Sequence, residues 1–231
     1  KRQIYSCADT VKETNSGTYK QEKIFFKSKN IYGFENLFDG NLESQKDQDA
    51  FGILHFPDNY DVEKKYPLVI ASHGSLNWRE HHRRYLEQMR QANYLVFAIH
   101  PFDSRNVSST VGDQINVTSE TVIYEMAQAL NLMSKDSRVN TKKIFAAGWS
   151  LGGTASLFNA WIPLQNEIHD EDSNYAGYLM WYPGCLALPD LNEWDLDHLQ
   201  IYIGEADNWT PAAPCIDSVS YTHLTLPTSI Q

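Results

Sequence analysis

From Phe51 onward the chain alternates short apolar runs with longer amphipathic stretches, and that alternation sets the fold class. The runs FGILHFP, YPLVIASHG, YLVFAIHPF, KIFAAG, YAGYLMWYP and LQIYIGE read as six strands. The later ones are short and apolar throughout, as strands covered on both faces must be. Between the second and third runs, Arg79 to Ala92 places Tyr85, Leu86, Met89 and Ala92 on one helical stripe, closed by Asn93. A stripe of Val122, Ile123, Met126, Ala127, Leu130 and Met133 predicts a second helix over Ser119 to Met133, with Thr118 or Ser119 as its N-cap. Strand–helix alternation of this kind implies an α/β fold, a mostly parallel, doubly wound sheet with right-handed crossovers. Residues 1–50 are polar apart from the island Ile24, Phe25 and Phe26, and read as a lead-in or a small hairpin. The sheet domain is expected over residues 51–217, followed by a tail at 218–231.

Composition narrows the class of protein. The 231 residues are 42% hydrophobic and 13% aromatic, enough for one globular domain with a sizeable core. No apolar run approaches the roughly 20 residues that a membrane span needs. A net charge of −10 argues against nucleic acid or an anionic membrane as partner, since both call for a basic face. The cationic cluster from Arg79 to Arg84 reads as the solvated face of a helix. The expected partner is a small molecule.

Three cysteines, Cys7, Cys185 and Cys215, are too few for a disulfide scaffold and match no zinc spacing. Cys185 and Cys215 fall just beyond two successive strands, where they either bridge or stay as two buried thiols. No histidine cluster has metal-ligand spacing, and Gly152-Gly153-Thr154 lacks the lysine of a phosphate-binding loop, so no cofactor is called for. The sequence opens on Lys1 with no signal-peptide-like apolar run. Lys1 is therefore read as a processed or truncated start, in a secreted, periplasmic or cytoplasmic protein alike. Asn106, Asn116 and Asn208 each begin an N-x-S/T sequon, which matters only in a secreted eukaryotic protein.

The chemistry centres on KKIFAAGWSLGGTASLFNAW, where Ser150 sits inside Gly148-Trp149-Ser150-Leu151-Gly152. A strand-like run leads in and a helix-like run leads out. A serine on such a turn is forced into a strained backbone, and glycines two residues either side let neighbouring chains approach it. Its hydroxyl then stands at the carboxyl edge of the sheet, and the Leu151 N–H opens a helix whose positive end can face an oxyanion. The plain alternative is a glycine-rich left-handed turn. His73-Gly74-Ser75 closes the second strand, where an N–H near Ser75 can complete the oxyanion hole and His73 can line the substrate pocket; otherwise His73 is structural. After Ser150, Asp207 lies a few residues into the loop beyond LQIYIG, where a carboxylate can turn back over the sheet edge as the acid. Glu205 lies beside it, and Asp190, Asp195 and Asp197 are reserves. Arg105, a lone cation in the loop after YLVFAIHPF, could grip a substrate carboxylate bidentately or pair with Asp103 or Asp113.

HGS after one strand, AIHPFDSRNVSSTVGDQ after the next, GWSLGG, WYPGC and IGEADNWTPAAPC together resemble the dienelactone hydrolase family of α/β hydrolases over about residues 51–215. The last of these segments is the most specific. The resemblance implies an α/β-hydrolase-type sheet, Ser150 as nucleophile, Asp207 as acid, a later histidine as base, and carboxylic ester or lactone substrates. The loop after His73 departs from the family pattern, reading GSLNW where a glycine-rich version is common. Alternatives are a peptidase or acyltransferase on the same scaffold, or a non-catalytic binding protein with a hydrolase fold.

The histidine after Asp207 is His223, sixteen residues on. A helix averages about 11 residues and a strand 5–6, so both do not fit in that interval. VSYTHLTLPT also resembles the translation of a transposon-derived sequencing adaptor. The natural frame is therefore expected to break near Asp217, leaving the last helix, last strand and catalytic histidine out of this chain. The competing expectation is a flexible tail that folds His223 back to Ser150.

Overall fold

The central strands owe their positions to a period-two alternation in which both sets of side chains are apolar. In β4 (Tyr66–Ser72), Leu68 and Ile70 enter one buried cluster while Val69 and Ala71 enter another on the opposite face. In β5 (Leu95–Ile99), Leu95, Phe97 and Ile99 face the first cluster, and Val96 and Ala98 the second. In β6 (Val139–Trp149), Ile144 and Ala146 take one side, Ala147 and Trp149 the other. Strands of this composition are stable only between two covering layers.

The computed structural model describes residues 12–13, 19–38, 40–186, 188–189, 193–195 and 197–220. The remaining strands are β1 (Lys12–Glu13), β2 (Gln21–Asn30), β3 (Lys46–His55), β7 (Gly177–Trp181) and β8 (Leu199–Tyr202). They form one eight-stranded sheet in the order β1-β2-β3-β5-β4-β6-β7-β8. The five strands from β5 to β8 in that order are parallel, and β1 to β3 are antiparallel. This is the expected mostly parallel, doubly wound sheet. Helices α2 (Ser119–Met133), α3 (Leu151–Phe158) and α4 (Ile162–Ile168) contribute to the larger cluster, and α1 (Glu80–Gln91) covers the other face. A fifth helix, α5 (Ala212–Ser220), follows β8.

The second helix falls on the expected residues, and Thr118 caps it, its side chain accepting from Thr121 N at 3.1 Å. The first is turned from its expected stripe. Leu86 is buried, but beside it lie His82 and Arg90, while Tyr85 faces outward. Arg90 can be interior because Glu87, Asp58 and the Phe56 carbonyl take its guanidinium donors, and Tyr19 lies 4.0 Å beneath it.

The domain boundary expected at residue 51 falls inside β3. β2 and β3 pair over ten residues, from Gln21↔His55 to Asn30↔Lys46, and β3 in turn pairs with β5. The pair was hard to read because its outer face is polar, with Lys23 lying over Phe51 at 3.6 Å. Cys185 and Cys215 form a disulfide with their Cα atoms 5.1 Å apart, linking the loop after β7 to α5. Cys7, Asp190 and His223 lie outside the described residues. Among the described residues, no helix is long and apolar enough to cross a membrane.

Candidate active site

β6 ends at Trp149, α3 begins at Leu151, and Ser150 makes the whole turn between them with φ 51° and ψ −114°. That conformation costs a non-glycine residue about 1–3 kcal/mol and survives only where its surroundings enforce it. The enforcement is visible. Ser150 N donates to the Trp181 carbonyl of β7 at 2.9 Å, and Gly152 N donates to the His73 carbonyl beyond β4 at 3.1 Å. Thr154 N donates back to the Ser150 carbonyl at 2.8 Å, and its hydroxyl accepts from Gly184 N at 2.8 Å.

The flanking glycines have steric reasons. A Cβ on Gly148 would lie 2.0 Å from the Gly152 carbonyl oxygen, and one on Gly152 would lie 2.3 Å from that of Ser72. Both obstacles are backbone, so neither can swing away.

The turn exposes one donor by construction. Leu151 is the first residue of α3, so its N–H has no intrahelical acceptor. The loop after β4 holds one peptide in a fixed orientation beside this turn. The Gly74 carbonyl accepts from His73 Nδ1 at 2.8 Å and from Asn77 N at 3.0 Å. Fixing that carbonyl fixes the trans Gly74–Ser75 peptide, and with it the opposite direction of the Ser75 N–H. A Cβ on Gly74 would come 3.2 Å from Ser150 Cβ, so this loop and the elbow touch. The Ser75 carbonyl is pinned in turn by Thr110 N at 2.9 Å and Ser109 Oγ at 3.0 Å.

His73 itself is not a pocket residue. It is 1% exposed, edge-on to Phe102 with ring centroids 4.5 Å apart, and its Nδ1 must carry the proton it gives to Gly74. Its Nε2 is buried without a partner. Burial pushes its pKa down to about 4, so it is neutral at pH 7. The expected substrate-lining role gives way to a positioning one, because the ring is packed between loops.

Arg105 is corrected more sharply. Its side chain is 5% exposed and points inward to Glu125, whose side chain is 0% exposed, at 2.7 Å. Asn30 Oδ1, the Pro101 carbonyl and the Lys29 carbonyl take other guanidinium donors. No fork is left for a substrate carboxylate, and the paired acid is neither Asp103 nor Asp113. Asp103 instead holds His100 Nδ1 at 2.7 Å and accepts from Asn77 Nδ2 at 2.8 Å, tying the two loops together.

Asp207 follows β8, two strands from β6 in the sheet order. Its carboxylate accepts from Thr210 N at 2.9 Å, Trp209 N at 2.9 Å and the Thr210 hydroxyl at 3.0 Å. The Thr210 N–H first, with the others, holds its pKa below the ordinary carboxylate value, so it is ionised at pH 7. Asp195 and Asp197 precede β8 and so belong to the opposite edge of the sheet from Ser150. Asp195 faces the Tyr178 hydroxyl.

One residue near the elbow escaped the sequence. Tyr182, next after β7, has φ 41°, donates its N–H to the Tyr202 carbonyl at 2.7 Å, and meets His81 Nε2 through its hydroxyl at 3.2 Å. Only the motif WYPGC marked the spot. Three more histidines are engaged elsewhere: His55 with Tyr19, His82 with Arg79 N, His169 with Asn159. A groove of about 510 Å³ lies on the α1 face, lined by residues including Tyr85, Met89, Phe145, Leu179 and Trp181, and contains neither Ser150 nor Asp207.

No protein-family profile matches the chain, and no curated protein matches it in sequence. Solved structures do. The lipase/esterase of Lactobacillus plantarum superposes with a TM-score of 0.56 at 12% identity, over 89% of this chain and 87% of that one. Esterase 2 of Thermogutta terrifontis gives 0.56 at 15% identity, over 74% and 71%. The same esterase phosphonylated by cyclosarin gives 0.57 at 14% identity, over 74% and 72%. The fold is of the α/β-hydrolase type. At these identities the likeness speaks for the architecture alone, and the chemistry must come from the residues.

The buried histidines make stability pH-dependent. Burial lowers His73 to about 4 and His82 to about 3 from 6.5. The unfolded chain therefore takes up protons that the folded chain refuses as pH falls below 6.5. Their contribution is complete above pH 6.5 and is lost as pH falls toward 4 and 3, at up to about 1.4 kcal/mol per pH unit for each histidine. Urea unfolding at pH 7.5, 6.0 and 4.5 should show this decline. A profile flat to pH 4.5 would contradict it.

Proposed function

We propose that this chain carries the nucleophile, oxyanion loop and acid of a serine hydrolase of carboxylic esters or lactones, of the dienelactone hydrolase kind. The observation that carries the reading is Ser150 itself. It is a non-glycine residue strained at φ 51°, held by both neighbouring strands, at the mouth of a helix. Strain of this kind collects where function requires it. The Thermogutta terrifontis esterase with this fold is phosphonylated by cyclosarin, which supports the same chemistry here.

In the proposed reaction Ser150 Oγ forms a bond to the ester carbonyl carbon as its proton passes to a base. The carbonyl oxygen becomes an oxyanion facing the Leu151 and Ser75 N–H groups. The C–O bond to the alcohol breaks, the base returns the proton to the leaving oxygen, and water repeats the sequence to free the acid. Asp207 orients the base. No metal or organic cofactor enters these steps.

A second reading, a non-catalytic binding protein, draws on one fact: none of the seven described histidines bonds to Ser150 or Asp207. The base is then His223 or a residue this sequence does not include. Covalent labelling by a fluorophosphonate separates the cases. Modification of Ser150 that Ser150→Ala removes supports the hydrolase, and a folded chain whose Ser150 stays unmodified supports the binder.

A further inference from the structure

We infer that the site is built for neutral esters whose acyl and alcohol halves are both apolar, an inference that rests on Ser150 as the nucleophile. The loops at the carboxyl ends of the parallel strands carry five large apolar side chains facing water. They are Leu76 beyond β4, Val111 and Ile115 beyond β5, Leu186 beyond β7 and Trp209 beyond β8, exposed by between 44% (Val111) and 76% (Leu186). Single exposed apolar residues are ordinary, but these five all stand in loops that open at the strand edge where Ser150 lies.

They form two arms with β6 between them. In the first, Thr110 N and Ser109 Oγ donate to the Ser75 carbonyl, bringing together the chain neighbours of Val111 and Leu76. In the second, the Cys185–Cys215 bridge joins the residue before Leu186 to the helix that follows the Trp209 loop. An ester laid across the elbow places one half on each arm.

The charges of these loops agree. Asp103, Asp113, Glu205 and Asp207 lie in them, against Arg79 and Arg105, and Arg105 is spent inward on Glu125. A carboxylate-bearing substrate would meet an acidic edge whose buried guanidinium is already taken.

The test uses the 231-residue chain carrying Ser150→Ala, in which binding is read without turnover. Quenching of tryptophan fluorescence by p-nitrophenyl acetate, butyrate and hexanoate gives the affinities. Each added methylene should tighten binding by two- to fourfold, the upper value being that of a methylene wholly removed from water, about 0.8 kcal/mol. Diethyl succinate, competing against the hexanoate, should bind at least tenfold more tightly than the monoethyl ester with its free carboxylate. Leu186→Ser with Trp209→Ser, and separately Val111→Ser with Ile115→Ser, alter exposed side chains and should leave the fold intact. At least one pair should flatten the dependence on chain length. Equal affinity along the series, a slope untouched in both pairs, or tighter binding of the carboxylate would overturn the inference. A rising series beside a Ser150 that no phosphonate labels in the native chain would sink the nucleophile and leave the apolar rim standing. Labelling beside a flat series would do the reverse.

Discussion

The 231-residue chain is expected to hydrolyse p-nitrophenyl acetate only slowly, at a rate that neither Ser150→Ala nor His223→Ala changes by more than a small factor. Without a positioned base a serine hydroxyl is a weak nucleophile at pH 7. Removing the histidine of an intact triad costs roughly a million-fold in kcat, and what survives, about 10³–10⁴ over water, comes from the oxyanion donors and binding. In the proposed reaction the Leu151 and Ser75 N–H groups supply that remainder, and none of the seven described histidines bonds to Ser150. Steady-state turnover of the three proteins, with circular dichroism as a control for folding, decides it. Fast turnover that His223→Ala abolishes would show that the tail delivers the base.

Arg105→Ala is expected to lower the unfolding free energy by about 3–5 kcal/mol, because it strands a carboxyl that is wholly inside the protein. For a domain of this size that is a fall in Tm of roughly 6–20 °C. Glu125 is held between two opposing influences: burial raises its pKa, and Arg105 lowers it. Without the arginine the folded-state pKa rises further. The carboxyl then favours folding while neutral, below its unfolded value, and that support is lost as pH climbs toward the raised folded value. The deficit of the variant should therefore widen between pH 5 and pH 8. An Arg105→Met, Glu125→Leu pair should recover much of the loss, since a buried ion pair is often no better than a packed apolar one. A deficit below about 1 kcal/mol, or one independent of pH, would contradict the account. Preference between anionic and neutral esters should not change.

The parts of this molecule that depend on short-range pattern were legible in its sequence. The runs in β4, β5 and β6 are apolar on both faces, so they had to be interior strands. Gly148, Ser150 and Gly152 stand at the spacing of a tight strand-to-helix crossing, with a strand-like run before and a helix-like run after, and Thr118 was one of two caps that the helical stripe allowed. Asp207 lies in the loop beyond β8, as its place after LQIYIG implies.

What was not legible depends on partners far away in the chain. Nothing near Arg105 announces Glu125, twenty residues on, or the carbonyls of Pro101 and Lys29, so the guanidinium read as open to substrate or paired with Asp103 or Asp113. The burial of Arg90 depends on Asp58, a distant partner in a loop before β4 that the helical stripe does not announce. That pairing rotates α1 away from its expected stripe. The β2–β3 pair was obscured because cross-strand contacts such as Lys23 on Phe51 carry no periodic signature. Cys185 and Cys215 were recognisable as neighbours of successive strands, but their union depended on where α5 turns back. His73 was visible, and its role was not, because a ring that steers a peptide bond looks in sequence like one that lines a pocket.

The most direct measurement is covalent labelling of the native chain by a fluorophosphonate, mapped by peptide mass spectrometry, with imidazole added as an external base. The strained elbow and its donors predict that Ser150 is modified ahead of every other serine, at a rate that rises with neutral imidazole, and that Ser150→Ala removes the label while keeping the fold. A folded chain in which Ser150 stays unmodified, or reacts no faster than exposed Ser44 or Ser108, would contradict the assignment of Ser150 as the nucleophile.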